Sequence, residues 1–309
     1  MNVLKVVLPV FVMIAAGVLC RRTQFLSQKG IDDLKMLLTT VILPVAIFEG
    51  MATGDYSGKT GLVVAAMFGV VVVTFVLGFV LNRLVKEPYR KYFPFLMSVY
   101  EGGMIAYPLF INLCGSDALS KIAVLDIAGC AFCFSVYINV LVQMESGEKA
   151  TVKDTLLSAF RNPVFIATLL GVLCGATGVI KRLIASPAGP VYLGIEGMFT
   201  SALSAMILIV VGYSFSLEKR LIGPCLAAIF SRFALQALSA IPMVLLVKSL
   251  FPGDRVMLAA ILLYLAAPPS FSMPTFVKSE EGAKYLATAN SLYVIVTIIV
   301  YSCLAAFVV

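Results

Sequence analysis

Glu101-Gly102-Gly103, followed by Tyr107-Pro108, sets a carboxylate beside two residues that weaken a helix and one that cannot complete its hydrogen bonds. In hydrocarbon such an interruption frees backbone amides and carbonyls, which must find partners in protein or in a water-lined cavity. The start of a half-helix offers amide donors that suit a carboxylate, and unwound carbonyls suit a cation. The device recurs 166 residues on: Gly102-Gly103 begin six residues before Pro108, and Pro268-Pro269 begin six before Pro274. Two breaks at matching places are expected to face each other and hold a solute between them.

An ionisable residue deep in a bilayer costs about 2.5–3.5 kcal/mol on insertion scales. Glu101 and Asp126 are therefore read as candidates for carrying a coupling proton. Tyr100 and Tyr107 flank the first break as candidate pocket walls; Ser270, Ser272, Asn139 and Asn290 are either hydrogen-bond partners of a solute or glue between helices. Arg232 either neutralises an anionic solute in the pocket or, the reading favoured here, snorkels to the cytoplasmic surface from the first turns of its span.

Other chemistries find little to build on. The chain has no histidine, and Cys130-x-x-Cys133 has no second pair to complete four ligands, so no metal site is expected and the two cysteines are read as small residues at a helix contact. No Walker-type loop, G-x-S-x-G or H-E-x-x-H pattern occurs, so neither nucleotide hydrolysis nor enzymatic catalysis is expected and no cofactor is implied. The coupling ion is left open between a proton and sodium.

The elements that position these residues are membrane spans. Of 309 residues, 61% are hydrophobic and 13% charged, against about 25% charged in an ordinary soluble domain. The apolar runs are consecutive rather than alternating, which favours helices over a barrel. Ten spans are expected: 3–20, 34–48, 62–81, 93–113, 122–141, 164–180, 197–216, 222–247, 256–277 and 285–309. Pro44 is expected to kink the second. The first is kept as a mature helix, because Leu19 before Cys20 does not fit a small-residue cleavage site.

The net charge of +7 comes from lysines and arginines scattered between spans, which argues for topology rather than nucleic acid. Fourteen fall on one side, among them Arg21, Arg22, Arg83, Arg90, Lys149 and Lys153, and seven on the other, among them Lys59, Lys121 and Lys181. The richer side is assigned to the cytoplasm, which puts both termini outside. Pro9-Val10-Phe11 with Gly17-Val18-Leu19-Cys20 reappears as Pro163-Val164-Phe165 with Gly171-Val172-Leu173-Cys174, 154 residues later. Five spans per half, an odd number, make this an inverted-topology repeat: residues 1–143, a cytoplasmic connection 144–161, and residues 162–309.

With the motif Gly103-Met104-Ile105-Ala106-Tyr107-Pro108-Leu109, with Arg161-Asn162-Pro163 opening the second half and with Pro268-Pro269 in its ninth span, the whole chain resembles bacterial members of the auxin efflux carrier family. The resemblance implies an all-α fold of ten helices with crossed broken helices, like bile-acid symporters and sodium/proton antiporters. It also implies organic-acid substrates and, in some members, homodimers. The chain departs from the family pattern in carrying Glu101 where the family has asparagine and Ala106 where it has glycine. An acidic residue there fits carboxylate binding when Glu101 is protonated in the loaded state.

The expected function is secondary transport of a small organic acid or similar metabolite across a bacterial-type inner membrane, by alternating access and linked to protons through Glu101. A solute-gated channel or a membrane solute sensor is the alternative, separated from a carrier by counterflow exchange.

Overall fold

The protein is described by a computed structural model covering residues 3–54, 56–147, 157 and 159–308. Lys149 and Lys153, used above for orientation, lie outside the described residues, as does most of the 144–161 connection.

Among the described residues the chain is helical throughout. Its elements are α1 (Val3–Arg22), α2 (Gln28–Ala52), α3 (Gly58–Leu84), α4 (Phe93–Met97), α5 (Gly102–Cys114), α6 (Ser116–Glu145), α7 (Pro163–Thr177), α8 (Val179–Ile184), α9 (Gly189–Ser214), α10 (Lys219–Leu250), α11 (Arg255–Leu265) and α12 (Glu280–Val308). Seven of these, α1, α2, α3, α6, α9, α10 and α12, are long and apolar enough to cross a membrane, and α5, α7 and α11 are shorter apolar helices. Leucine, valine and phenylalanine stand exposed along α1, α3, α9 and α10, as expected where lipid rather than water is the neighbour.

Two expected spans break. The fourth ends at Met97 and resumes at Gly102 after an extended stretch, and the ninth ends at Leu265, with only a short 3-10 turn at Met273–Phe276 beyond it. Glycines in one and proline pairs in the other account for both interruptions. The seventh helix begins at Gly189 rather than residue 197, because Glu196 is held inside the helix and does not end it. Pro44 is accommodated by a widened turn at Leu38–Ile42 just ahead of it, so that Gln28–Ala52 continues as one helix.

Glycines set the closest helix crossings. A Cβ on Gly17 of α1 would lie 2.1 Å from the Ile209 carbonyl oxygen of α9, and one on Gly212 would lie 2.1 Å from that of Ile14. The same construction on Gly171 of α7 meets the Met51 Cβ of α2 at 2.5 Å. No side chain fits at either crossing, and backbone contact takes its place. Elsewhere Phe75, Phe95, Phe132 and Tyr137 meet mostly edge to face, and the Tyr137 hydroxyl donates to the Phe95 carbonyl at 3.0 Å. This cluster fixes short α4 at the root of the first break.

Candidate functional site

The two breaks meet. The Glu101 amide donates to the Pro268 carbonyl at 2.8 Å, joining the first break to the second. The Glu101 carboxylate then spans both: Oε1 accepts from the Met104 amide at 3.3 Å, in the first turn of α5, and Oε2 accepts from the Phe271 amide at 2.7 Å. Each donor is a backbone amide left over where a helix is interrupted. The first turn of α5, Gly102–Ala106, is widened. It leads into Tyr107-Pro108, and this widened turn accommodates a proline that has no amide to donate back to it.

The unwound carbonyls point the other way, into the protein, and meet Arg232 of α10. Its Nη1 donates to Leu96 and Ser98 carbonyls at 2.7 and 3.0 Å, and its Nη2 to Val99 and Ala267 carbonyls at 3.0 and 2.9 Å. Val99 has a backbone φ of 51°, a left-handed conformation strained for a β-branched residue. One turn along α10, Gln236 donates to the Met97 carbonyl at 2.9 Å and accepts from the Tyr100 hydroxyl at 2.6 Å. The expectation that Arg232 snorkels is therefore wrong: it is 1% exposed. Carbonyls orphaned by the breaks offer it more hydrogen bonds than the membrane surface could at that depth.

Asp126 of α6 sits behind the first break. Its Oδ2 accepts from Tyr107 at 2.9 Å and its Oδ1 from Tyr264 of α11 at 2.6 Å. The approach depends on glycine, since a Cβ on Gly102 would lie 2.7 Å from Asp126 Oδ2 and one on Gly129 2.5 Å from the Tyr264 hydroxyl.

A cavity of about 390 Å³ opens beside the crossing. Of the residues singled out from sequence as candidates for the site, Tyr100, Glu101, Gly102, Gly103, Asp126, Ser270 and Ser272 line it. Pro274 and Asn290 instead line a smaller space of about 110 Å³ on the other side of Met104 and Phe271, where the Asn290 amide nitrogen donates to the Ser270 carbonyl at 3.1 Å. Tyr107, Pro108, Pro268 and Pro269 line neither; they are buried and shape the breaks. Cys130 and Cys133 are free thiols that line the larger cavity, and Cys130 also meets Thr168 of α7, a helix contact as well as a place on the cavity wall; no group of three His, Cys, Asp or Glu converges among the described residues.

Lys35 of α2 lines both spaces. Among the described residues it takes part in no ion pair. Sequence reading placed Lys35 at a span edge and assigned it no role. It likewise passed over Gln236 and Tyr264, although Arg232 and Gln236, four apart on an apolar helix, share one face.

A family description of membrane transport proteins matches residues 2–307, nearly the whole chain. The chain belongs to the auxin efflux carrier family of membrane transport proteins. No curated protein matches it. This family member is thus an integral membrane transporter, in a family that transports rather than catalyses.

Proposed function

We propose that this transporter is a secondary carrier of small organic anions, working by alternating access across a bacterial inner membrane, with proton uptake by Glu101 linked to loading. One observation carries the reading: the Glu101 carboxylate holds amide donors of both breaks, Met104 and Phe271, at the wall of a cavity that Lys35 also lines. Those donors are what an organic carboxylate would need. With Glu101 ionised, the donors are occupied and a second carboxylate is repelled. A proton on Glu101 weakens its hold on them and removes the repulsion, so an anion and a proton load together.

The chain is read as inverted halves, residues 1–143 and 162–309, with both termini outside. Gly17 and Gly171, which correspond in the internal repeat, support the division into two related halves. Each stands at a glycine-tight crossing with the second long element of the other half, Gly17 on α9 and Gly171 on α2.

The test is binding and uptake of labelled mono- and dicarboxylates by purified protein, free and in liposomes, across pH. Binding that strengthens as pH falls in the natural protein and becomes independent of pH in Glu101→Gln is the expected result. Unchanged pH dependence in that variant removes Glu101 from coupling, and stabilisation by neutral or cationic solutes alone removes the anion assignment.

A further inference from the structure

We infer that Arg232 is a built-in cation: its guanidinium fills the carbonyl cage at the crossing that a coupling sodium ion would otherwise take, so the carrier runs without sodium. The inference holds whichever solute is carried.

In carriers built on broken helices, coupling cations are held by unwound backbone carbonyls. Here the Leu96 carbonyl at the end of α4, the unwound carbonyls of Ser98 and Val99 in the first break and that of Ala267 in the second converge, and all four accept from Arg232 at 2.7–3.0 Å. A sodium ion needs several such oxygens at once, and these already have their partner. The Tyr100 and Tyr293 rings stand 5.1 Å from the guanidinium carbon, a further setting for a cation. Arginine cannot be deprotonated in a protein, so this charge is permanent, unlike an ion that arrives and leaves.

Arg232 is no ligand for the solute. It is 1% exposed and lines neither cavity. It is a positioning residue, which acts through the two breaks and holds the strained Val99 carbonyl and the Ala267 carbonyl on adjacent donors of one planar group. A buried charge this costly calls for such a role. A packing role alone would leave the protein indifferent to which small cation surrounds it, and a cation-site role would not.

The experiment is a melting titration of the full-length protein in detergent, at constant ionic strength, with sodium, guanidinium or tetramethylammonium exchanged for choline. The natural protein is expected to show no sodium-specific shift. Arg232→Ala is expected to melt lower and to gain a saturable upward shift with millimolar guanidinium, which fits the vacated cage, and none with tetramethylammonium, which does not. A saturable sodium shift in the natural protein overturns the inference, and so does a folded Arg232→Ala that ignores guanidinium and sodium. If Arg232→Ala does not fold, Arg232→Gln takes its place: a saturable guanidinium shift there upholds the cage assignment, and a folded Arg232→Gln that ignores guanidinium and sodium, or sodium-specific stabilisation of the natural protein, refutes it. Because the readout is stability without added solute, failure here is distinct from failure of the organic-anion reading.

Discussion

Glu101 and Phe271, 170 residues apart, are joined by a carboxylate–amide hydrogen bond of 2.7 Å that ties one helix break to the other. Replacing Glu101 by alanine leaves the Phe271 and Met104 amides without that acceptor. The loss should be felt as about 1–3 kcal/mol if water does not substitute. The expected outcome is a lower melting temperature for Glu101→Ala than for Glu101→Gln, whose amide oxygen can still accept. Equal melting points would mean that solvent caps the breaks unaided.

Glycine-tight crossings predict a sharp contrast among small-residue substitutions. Gly17→Ala and Gly171→Ala each press a methyl group into a neighbouring helix, with no flexible side-chain end at Gly17 to move aside. Overpacking of this kind costs about 1–3 kcal/mol. Gly69→Ala on α3, where nothing lies within 4 Å, should be neutral or slightly stabilising. Melting of the three variants in one detergent checks this, and a Gly69→Ala loss as large as the other two would contradict it.

These crossings also show what was legible in the chain. The 154-residue echo was readable because Gly17 and Gly171 must both be bare to let helices touch, and the two breaks were readable because glycine and proline leave a local mark. The partners of the breaks left no such mark. Arg232 looked like an interfacial charge because its burial depends on carbonyls from Leu96 to Ala267 that only the fold assembles. Tyr264 and Lys35 were invisible for the same reason: each gains its role from an element distant in sequence. The seventh helix begins eight residues before its expected start at 197, and Glu196 lies within it.

Cys130 and Cys133 should report on the cavity. Both face it, whereas Cys225 is buried against the Tyr285 carbonyl. A small water-soluble thiosulfonate is expected to label the first two and spare Cys225, and a transported anion should slow the labelling. Mass spectrometry of the labelled protein reads both effects; labelling unaffected by any solute that also stabilises the protein would place the binding site elsewhere.

Outside the spans, Asp254 gives a pH-dependent contribution to stability. Burial works to raise its carboxyl, but the hydrogen bond and charge of Lys121 and the amide of Met257 together hold it below the ordinary aspartate value. A carboxyl depressed on folding contributes stability that is present above its unfolded value and lost as pH falls through the folded one. The pair is partly exposed, so the contribution is small, about 0.2–1 kcal/mol. Melting from pH 7 down to pH 3 should show this loss in the natural protein, and a shallower decline in Asp254→Asn. Parallel curves would show that Lys121 and Asp254 contribute nothing as a charged pair.

Glu101 and Asp126 were both candidates for the coupling proton in the sequence, with the coupling assigned to Glu101, and their surroundings in the fold differ. Both Asp126 oxygens are already held by tyrosine hydroxyls, Tyr107 from α5 and Tyr264 from α11, whereas Glu101 accepts only from backbone amides at the edge of the cavity. Through Asp126 the tyrosines tie the helix after the first break to the helix before the second, an arrangement that fits an aligning role. Asp126→Asn keeps one acceptor and can receive from one tyrosine while donating to the other. It is therefore expected to retain pH-dependent binding of the anion with some loss of stability, while Tyr264→Phe loses stability by about 0.5–1.5 kcal/mol with the same pH profile. A flat pH profile in Asp126→Asn, with Glu101→Gln behaving as the natural protein, would exchange the two roles.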